Sequence, residues 1–278
     1  MLESLSPPLP EIDSTRRRDG EDGRKTVRLT ILGSGTCVPN GERNSAGYFV
    51  ETSGVQMMLD CGAGTVHALA RYHLAWETMT HVFVSHFHVD HIGELASLFF
   101  AFKYGMRTTR TEPLWLIGPA GLGRVMEGLK TAFGPGVFEL KFPVHDAHLA
   151  PGGTIDLTES CRLTVAKTPH TEESLAVRIE SRGRSICYTG DTDYSDELAE
   201  FFKGADLLIS ECSFRERHEG VPHLAVKDVA VMAARAEVAR LVVTHFYFEV
   251  DEAELKRELE RGYAGEVIIG RDGMRIGV

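Results

Sequence analysis

The run Ser85-His86-Phe87-His88-Val89-Asp90-His91 constrains this chain more than any other stretch. Three histidines and one aspartate fall within six positions, directly after the apolar run His81-Val82-Phe83-Val84 and directly before a helix-forming segment. Imidazole nitrogen and carboxylate oxygen are good donors to Zn²⁺, Mn²⁺ or Fe²⁺. A tight loop at a strand end can aim four such side chains into one volume. Gly93, at the start of the following helix, allows close backbone approach.

Four donors complete one metal position and begin a second, so more donors are expected from distant parts of the chain. His170 closes Thr168-Pro169-His170, Asp191 closes Tyr188-Thr189-Gly190-Asp191, and His245 closes Val242-Val243-Thr244-His245. Each sits just past a β-rich run, where loops carry functional groups. Taken singly, each also has an ordinary structural reading as a capped histidine or a turn aspartate.

The frame around these residues reads as alternating structure. Strands are expected at 27–32, 47–51 and 55–59, the last two joined by the Ser53-Gly54 turn. A helix follows at 65–72, then a buried strand at 81–84. The next helix, 92–103, places Leu95, Leu98, Phe99 and Phe102 at helical spacing. A strand at 114–117 and a helix at 122–133 come next. Strands are then predicted at 138–142, 161–166, 176–179 and 185–188. Alternation resumes with a helix at 197–202, strand 207–209, helix 224–236, strand 241–243 and helix 252–261. Runs 267–269 and 274–276 read as a closing hairpin. Strands followed by strand–helix alternation occur twice, so two mainly β layers with helices outside give the economical packing.

Composition narrows the setting. Thirty Lys and Arg against forty Asp and Glu give a net charge of −10, which disfavours broad electrostatic capture of nucleic acid. Five cysteines (Cys37, Cys61, Cys161, Cys187, Cys212) show no CxxC spacing, so a disulfide framework is not expected and a cytoplasmic setting is. Cys61, Cys187 and Cys212 read as small buried hydrophobes. No window approaches the roughly 18 apolar residues of a membrane span. Residues 1–26 mix Pro, Ser, Gly and charge without an apolar stretch; they read as a mobile arm, not a signal peptide, before a domain at 27–278.

The order His-x-His-x-Asp-His, then His, Asp and His at strand ends, resembles the metallo-β-lactamase fold superfamily from about Val27 onward. The resemblance implies an α/β (α+β) fold, a four-layer αβ/βα sandwich with a dinuclear metal site at one edge. By that resemblance His86, His88 and His170 hold one ion, Asp90, His91 and His245 the other, and Asp191 bridges them. The ions expected are zinc, with manganese or iron as alternatives. The antibiotic-cleaving branch lacks this bridging aspartate, so β-lactamase activity is not expected.

Finer details are similar to the ribonuclease Z group. Leu32-Gly33-Ser34-Gly35-Thr36 and the loop Pro39-Asn40-Gly41-Glu42-Arg43-Asn44 look like its opening strand and Pro-x-Lys-x-Arg-Asn loop, with Gly41 in place of the lysine. Leu59-Asp60-Cys61-Gly62-Ala63-Gly64-Thr65 and Leu116-Ile117-Gly118-Pro119 look like its second strand with turn and its Gly-Pro element. Ser210-Glu211-Cys212-Ser213 and His223 stand where the group has a glutamate and a later histidine paired beside the metals. The implied catalytic set is Asp90 as proton acceptor, and His223 oriented by Glu211 as general acid.

Two departures bear on substrate. The group carries a long inserted arm for tRNA between the Gly-Pro element and the third ligand, yet only 52 positions separate Gly118 from His170 here. Phe246-Tyr247-Phe248 follows His245 where the group often has an arginine. The expectation is therefore hydrolysis of a phosphodiester bond in a small or cyclic substrate, without a membrane partner. A tRNA 3′-end endoribonuclease, and a thioester or lactone hydrolase, stand as alternatives. A homodimer is expected from the resemblance alone. Lys103, Arg107 and Arg110, and separately Arg215-Glu216-Arg217-His218, read first as solvated loops and second as anion contacts.

Overall fold

The computed structural model describes residues 27–278 apart from Ser53 and Thr108, so the arm expected at 1–26 lies outside the described residues. Two seven-stranded sheets pack face to face. The first runs in the order β14 (Arg275–Gly277), β1 (Arg28–Gly33), β2 (Gly47–Thr52), β3 (Val55–Leu59), β4 (His81–Phe83), β5 (Leu114–Pro119), β6 (Val144–Leu149). The second runs β13 (Glu266–Ile269), β12 (Arg240–Thr244), β11 (Leu207–Glu211), β10 (Arg184–Tyr188), β9 (Leu175–Ser181), β8 (Cys161–Lys167), β7 (Thr154–Thr158). Each sheet is antiparallel on one side and parallel on the other. The parallel side starts at β3 in the first sheet and at β10 in the second.

Parallel neighbours need helical crossovers, and these form the outer layers. Helices α1 (Thr65–Arg71), α2 (Val89–Ile92), α3 (Leu95–Tyr104) and α4 (Leu122–Phe133) serve the first sheet. Helices α5 (Asp196–Phe201), α6 (Val226–Arg235) and α7 (Glu252–Glu260) serve the second. Central strands are buried on both faces, and their residues divide cleanly. Ile186, Tyr188, Leu207, Ile209 and Val242 face the other sheet, while Cys187, Leu208, Leu241 and Val243 face the helices. That two-sided burial is why these strands are continuous apolar runs. The expected αβ/βα layering is thus present.

Four local expectations change. The predicted helix 92–103 begins later, at Leu95 of α3, because Ile92 closes the separate short helix α2 and Gly93 caps it, its amide donating to Val89 O. Residues 138–142 form no strand. Phe138 and Phe142 instead plug the helix layer against Phe99 and Phe102, at centroid distances of 5.2 and 5.7 Å. The strand lies at Val144–Leu149, after Pro143, and both it and β7 are sheet edges. Edge strands carry polar residues such as His145, Asp146 and Asp156, so they lack the apolar signature. The closing runs form no hairpin: β13 pairs with β12 in one sheet, and β14 pairs with β1 in the other. No helix among the described residues is long and apolar enough to cross a membrane.

Candidate metal centre

Every expected donor arrives at the same edge of the sandwich, because each lies beyond the carboxyl end of a strand. β4 leads to His86, His88, Asp90 and His91; β8 to His170; β10 to Asp191; β11 to Glu211; and β12 to His245. The crevice beyond the carboxyl ends of parallel strands is the usual ligand position in α/β sheets. Gly62 makes room for the histidine-rich loop, since a Cβ there would lie 2.0 Å from Asp90 O. Gly190 turns the chain into Asp191 with φ of 59°.

The donors form two groups around one carboxylate. Asp191 Oδ2 lies 3.7 Å from both His86 Nε2 and His170 Nε2. Asp191 Oδ1 lies 3.3 Å from His91 Nε2 and 3.5 Å from His245 Nε2. His88 Nδ1 joins the first group, 3.1 Å from the Nε2 atoms of His86 and His170. Asp90 Oδ2 joins the second, 3.4 Å from His245 Nε2 and 4.0 Å from His91 Nε2. All seven residues expected from the sequence as metal donors are therefore brought together around Asp191.

The donor chemistry fits divalent ions. His91 Nε2, Asp191 Oδ1 and His245 Nε2 are buried without a hydrogen-bond partner. Buried polar atoms are normally satisfied, so three orphans facing one another fit a position that could hold a cation. In the first group, His86 and His170 each spend Nδ1 on an outer partner, Ser85 Oγ at 3.0 Å and Pro222 O at 3.0 Å. Their Nε2 atoms are then left to face inward with bare lone pairs. Nitrogen and carboxylate donors of this kind suit zinc and its borderline neighbours.

The charges respond to this crowding. Burial and the neighbouring His91 hold His86 well below the usual imidazole range. Burial also opposes a proton on His91, but Asp191 and Asp60 outweigh it and hold that ring well above the usual range. Asp191 is buried, yet His245 and His91 keep it far below the ordinary carboxylate range.

Glu211 and His223 meet beside the metal donors. His223 Nδ1 lies 3.0 and 3.1 Å from the two Glu211 oxygens and 4.0 Å from Asp191 Oδ2. Burial opposes protonation of His223, and the Glu211 bond and charge overcome it, so its pKa is raised. Glu211 itself is held by the amides of Thr192 at 2.6 Å and Leu224 at 3.3 Å. Burial pushes its own pKa up.

Several site residues escaped the sequence reading. Asp60 accepts from the Ser85 amide and hydroxyl at 2.7 Å each and from Tyr188 at 2.8 Å, and it faces His91 Nδ1 at 2.7 Å. Its position as the acid closing an apolar strand is the same signal that picks out Asp191. Ser213 touches Glu211, His223 and His245, and nothing in the sequence marks it. The Arg43-Asn44 loop is a brace. Arg43 donates to Ser34 Oγ and Gly270 O, and Ser34 O accepts from the His245 amide.

Three of the basic side chains are engaged within the protein. Arg110 is buried on Phe142 and donates to the carbonyls of Glu112 and Pro113. Arg215 pairs with Glu254 and Glu258 of α7, and Arg217 pairs with Asp193. Tyr247, in the segment after His245, stacks on Phe214 with centroids 5.6 Å apart.

Comparison with known proteins agrees with this geometry. A ribonuclease Z from Methanosarcina acetivorans is 27% identical over 304 residues, covering 90% of this chain and 97% of that protein. The probable metallo-hydrolase YhfI of Bacillus subtilis is 28% identical over 254 residues, covering 89% and 98%. The crystal structure of YhfI, a metallo-β-lactamase fold protein, superposes with a TM-score of 0.78 at 25% identity, covering 91% and 100%. The short form of human tRNase Z shares the fold at a TM-score of 0.74 and 23% identity, covering 90% and 98%. The family model described as Anti-Pycsar protein Apyc1 matches residues 27–264. With the metallo-β-lactamase fold and this His/Asp cluster, the chain belongs to the Anti-Pycsar protein Apyc1 family and is a metal-dependent hydrolase acting on ester bonds, of the ribonuclease Z and phosphodiesterase type.

Proposed function

We propose that this protein hydrolyses phosphodiester bonds in small or cyclic substrates at a centre of two divalent ions, zinc in the first place. The observation that carries this reading is the division of Asp191, one oxygen toward His86 and His170 and the other toward His91 and His245. Two ions held there supply an activated water near neutral pH and compensate the charge of a phosphoryl group.

The chain's own residues divide the remaining work. His86, His88 and His170 hold one ion, Asp90, His91 and His245 the other, and Asp191 both. Asp90 stays ionised, because His245 and His91 outweigh the effect of its burial. It can therefore accept the proton of the attacking water. His223, whose pKa Glu211 raises against the effect of burial, donates a proton to the departing oxygen.

The small-substrate half of the reading rests on the segment from Ala120 to His170. Its described residues are spent on α4, β6, β7, β8 and the Phe138/Phe142 plug. Nothing there extends as an arm to grip a folded RNA. The acidic balance of the chain points the same way. A tRNA 3′-end endoribonuclease is the second reading, favoured by the paired Glu211 and His223 and by the relatives named ribonuclease Z.

The test is hydrolysis of bis(p-nitrophenyl) phosphate by zinc- and manganese-loaded protein, beside cleavage of a tRNA with a 3′ trailer. Turnover of the small diester with the tRNA left intact is expected. Cleavage of the tRNA after its discriminator base would replace this reading with the second. No turnover of either would move the search to thioesters and lactones.

A further inference from the structure

The two halves of the site are built alike. At the end of β3, Asp60 faces His91 Nδ1 directly and reaches His86 Nδ1 through Ser85. At the end of β11, Glu211 faces His223 Nδ1 directly and reaches His245 Nδ1 through Ser213. Each carboxylate therefore serves two imidazoles, one by contact and one through a serine hydroxyl.

Proton counting fixes the direction of the second relay. A carboxylate only accepts, so the single Ser213 hydroxyl proton goes to Glu211 Oε2. The Ser213 oxygen then has only lone pairs to offer His245 Nδ1, 3.0 Å away. Nδ1 must carry the ring proton, which leaves Nε2 bare. That Nε2 is the buried, unpartnered atom aimed at Asp90 and Asp191. Among the described residues no other group bonds to His245 Nδ1, and its backbone sits at φ of 60°. Packing against His91, His223 and Tyr247 confines the ring, and one hydroxyl fixes its Nδ1 proton.

We propose that Ser213 is a positioning residue for the metal donor His245, and that Glu211 through it orients a metal ligand as well as the general acid. This rests on the two-metal reading of the cluster. Glu211 is then a shared anchor, so loss of Glu211 harms proton donation and metal retention together. Loss of Ser213 harms retention while the Glu211–His223 pair keeps its direct contact. Partners of this kind, one bond beyond the ligand, change metal affinity by about 10–100-fold.

Competitive chelator titration of wild type, Ser213→Ala and Ser213→Thr tests this, together with the imidazole N–H resonances of the zinc-loaded proteins. The expected result is two ions in wild type and one of them held about 10–100-fold more weakly in Ser213→Ala. A protected His245 Nδ1 proton should be present in wild type, lost in Ser213→Ala and restored, with the affinity, in Ser213→Thr. Should Ser213→Ala fail to fold, Ser213→Cys fills the same volume with a weaker acceptor and should show the same loss. Equal affinity for both ions in wild type and Ser213→Ala overturns this proposal alone. A wild-type chain that takes up fewer than two ions overturns the two-metal reading and this proposal with it.

Discussion

Asp60 Oδ2 lies 2.7 Å from His91 Nδ1, and both side chains are fully buried. The contact orients the ring so that Nε2 faces Asp191, and it ties the end of β3 to the loop after β4. Asparagine tolerates the left-handed backbone that Asp60 adopts, at φ of 56°, so Asp60→Asn preserves the chain path. It removes the charge and one acceptor from a carboxylate that also serves Ser85 and Tyr188. Metal affinity should fall by about 10–100-fold, read by competitive chelation. An unchanged affinity would make Asp60 a packing residue only.

Removing the shared carboxylate should have a larger effect. Asp191 faces both donor groups, so Asp191→Ala should lose one or both ions, measured by elemental analysis after desalting. Neither group retains the bridging anion that balances its charge. Full metal content in this variant would refute the bridge.

The acid assignment predicts a different pattern for His223. His223→Ala should lower kcat by about 10²–10⁴ with metal content unchanged. Loss of an ion would instead make His223 a ligand, which its 4.0 Å approach to Asp191 allows. The pH profile supplies a second check. Burial works against a proton on His223, and Glu211 raises its pKa despite it. The acid form is lost as pH rises through that raised value, so activity should fall on the basic side. Glu211→Gln removes the anion and should move that limb to lower pH.

His81 gives a prediction about stability. Burial, with Arg110 second, lowers its pKa to about 4 from 6.5. A depressed folded-state value means the stability is present above about pH 6.5 and is lost as pH falls toward about 4. At full protonation the loss is on the order of 3 kcal/mol. Zinc-loaded wild type should therefore melt at falling temperature across that window, and His81→Gln should show a flatter profile. Parallel profiles would assign the acid sensitivity to other groups.

Some of this structure was legible in the sequence, for physical reasons. Strands buried on both faces, such as β11 and β12, must be unbroken apolar runs, and a donor just beyond them stands out. His86, Asp191 and His245 follow such strands, β4, β10 and β12, whereas His170 follows the half-exposed β8 and shows only as a histidine past a β-rich run. Edge strands β6 and β7 bury little and so leave little trace. The true partners of the last two strands were hidden as well. Pairing β14 with β1 is a contact between the two ends of the described chain, and local pattern carries no information about it. Asp60 carries the strand-end signal of Asp191, but it opens the glycine-rich turn Cys61-Gly62-Ala63-Gly64, where an acid reads as part of the turn. Ser213 could not be seen at all, because a serine acquires its role from what surrounds it in three dimensions.

The account depends most on two ions sharing Asp191, and anomalous diffraction at the zinc edge from loaded crystals tests that directly. Two peaks are expected about 3.5–4 Å apart, one within coordination distance of each Asp191 oxygen. A single peak, or two that Asp191 does not join, would contradict it.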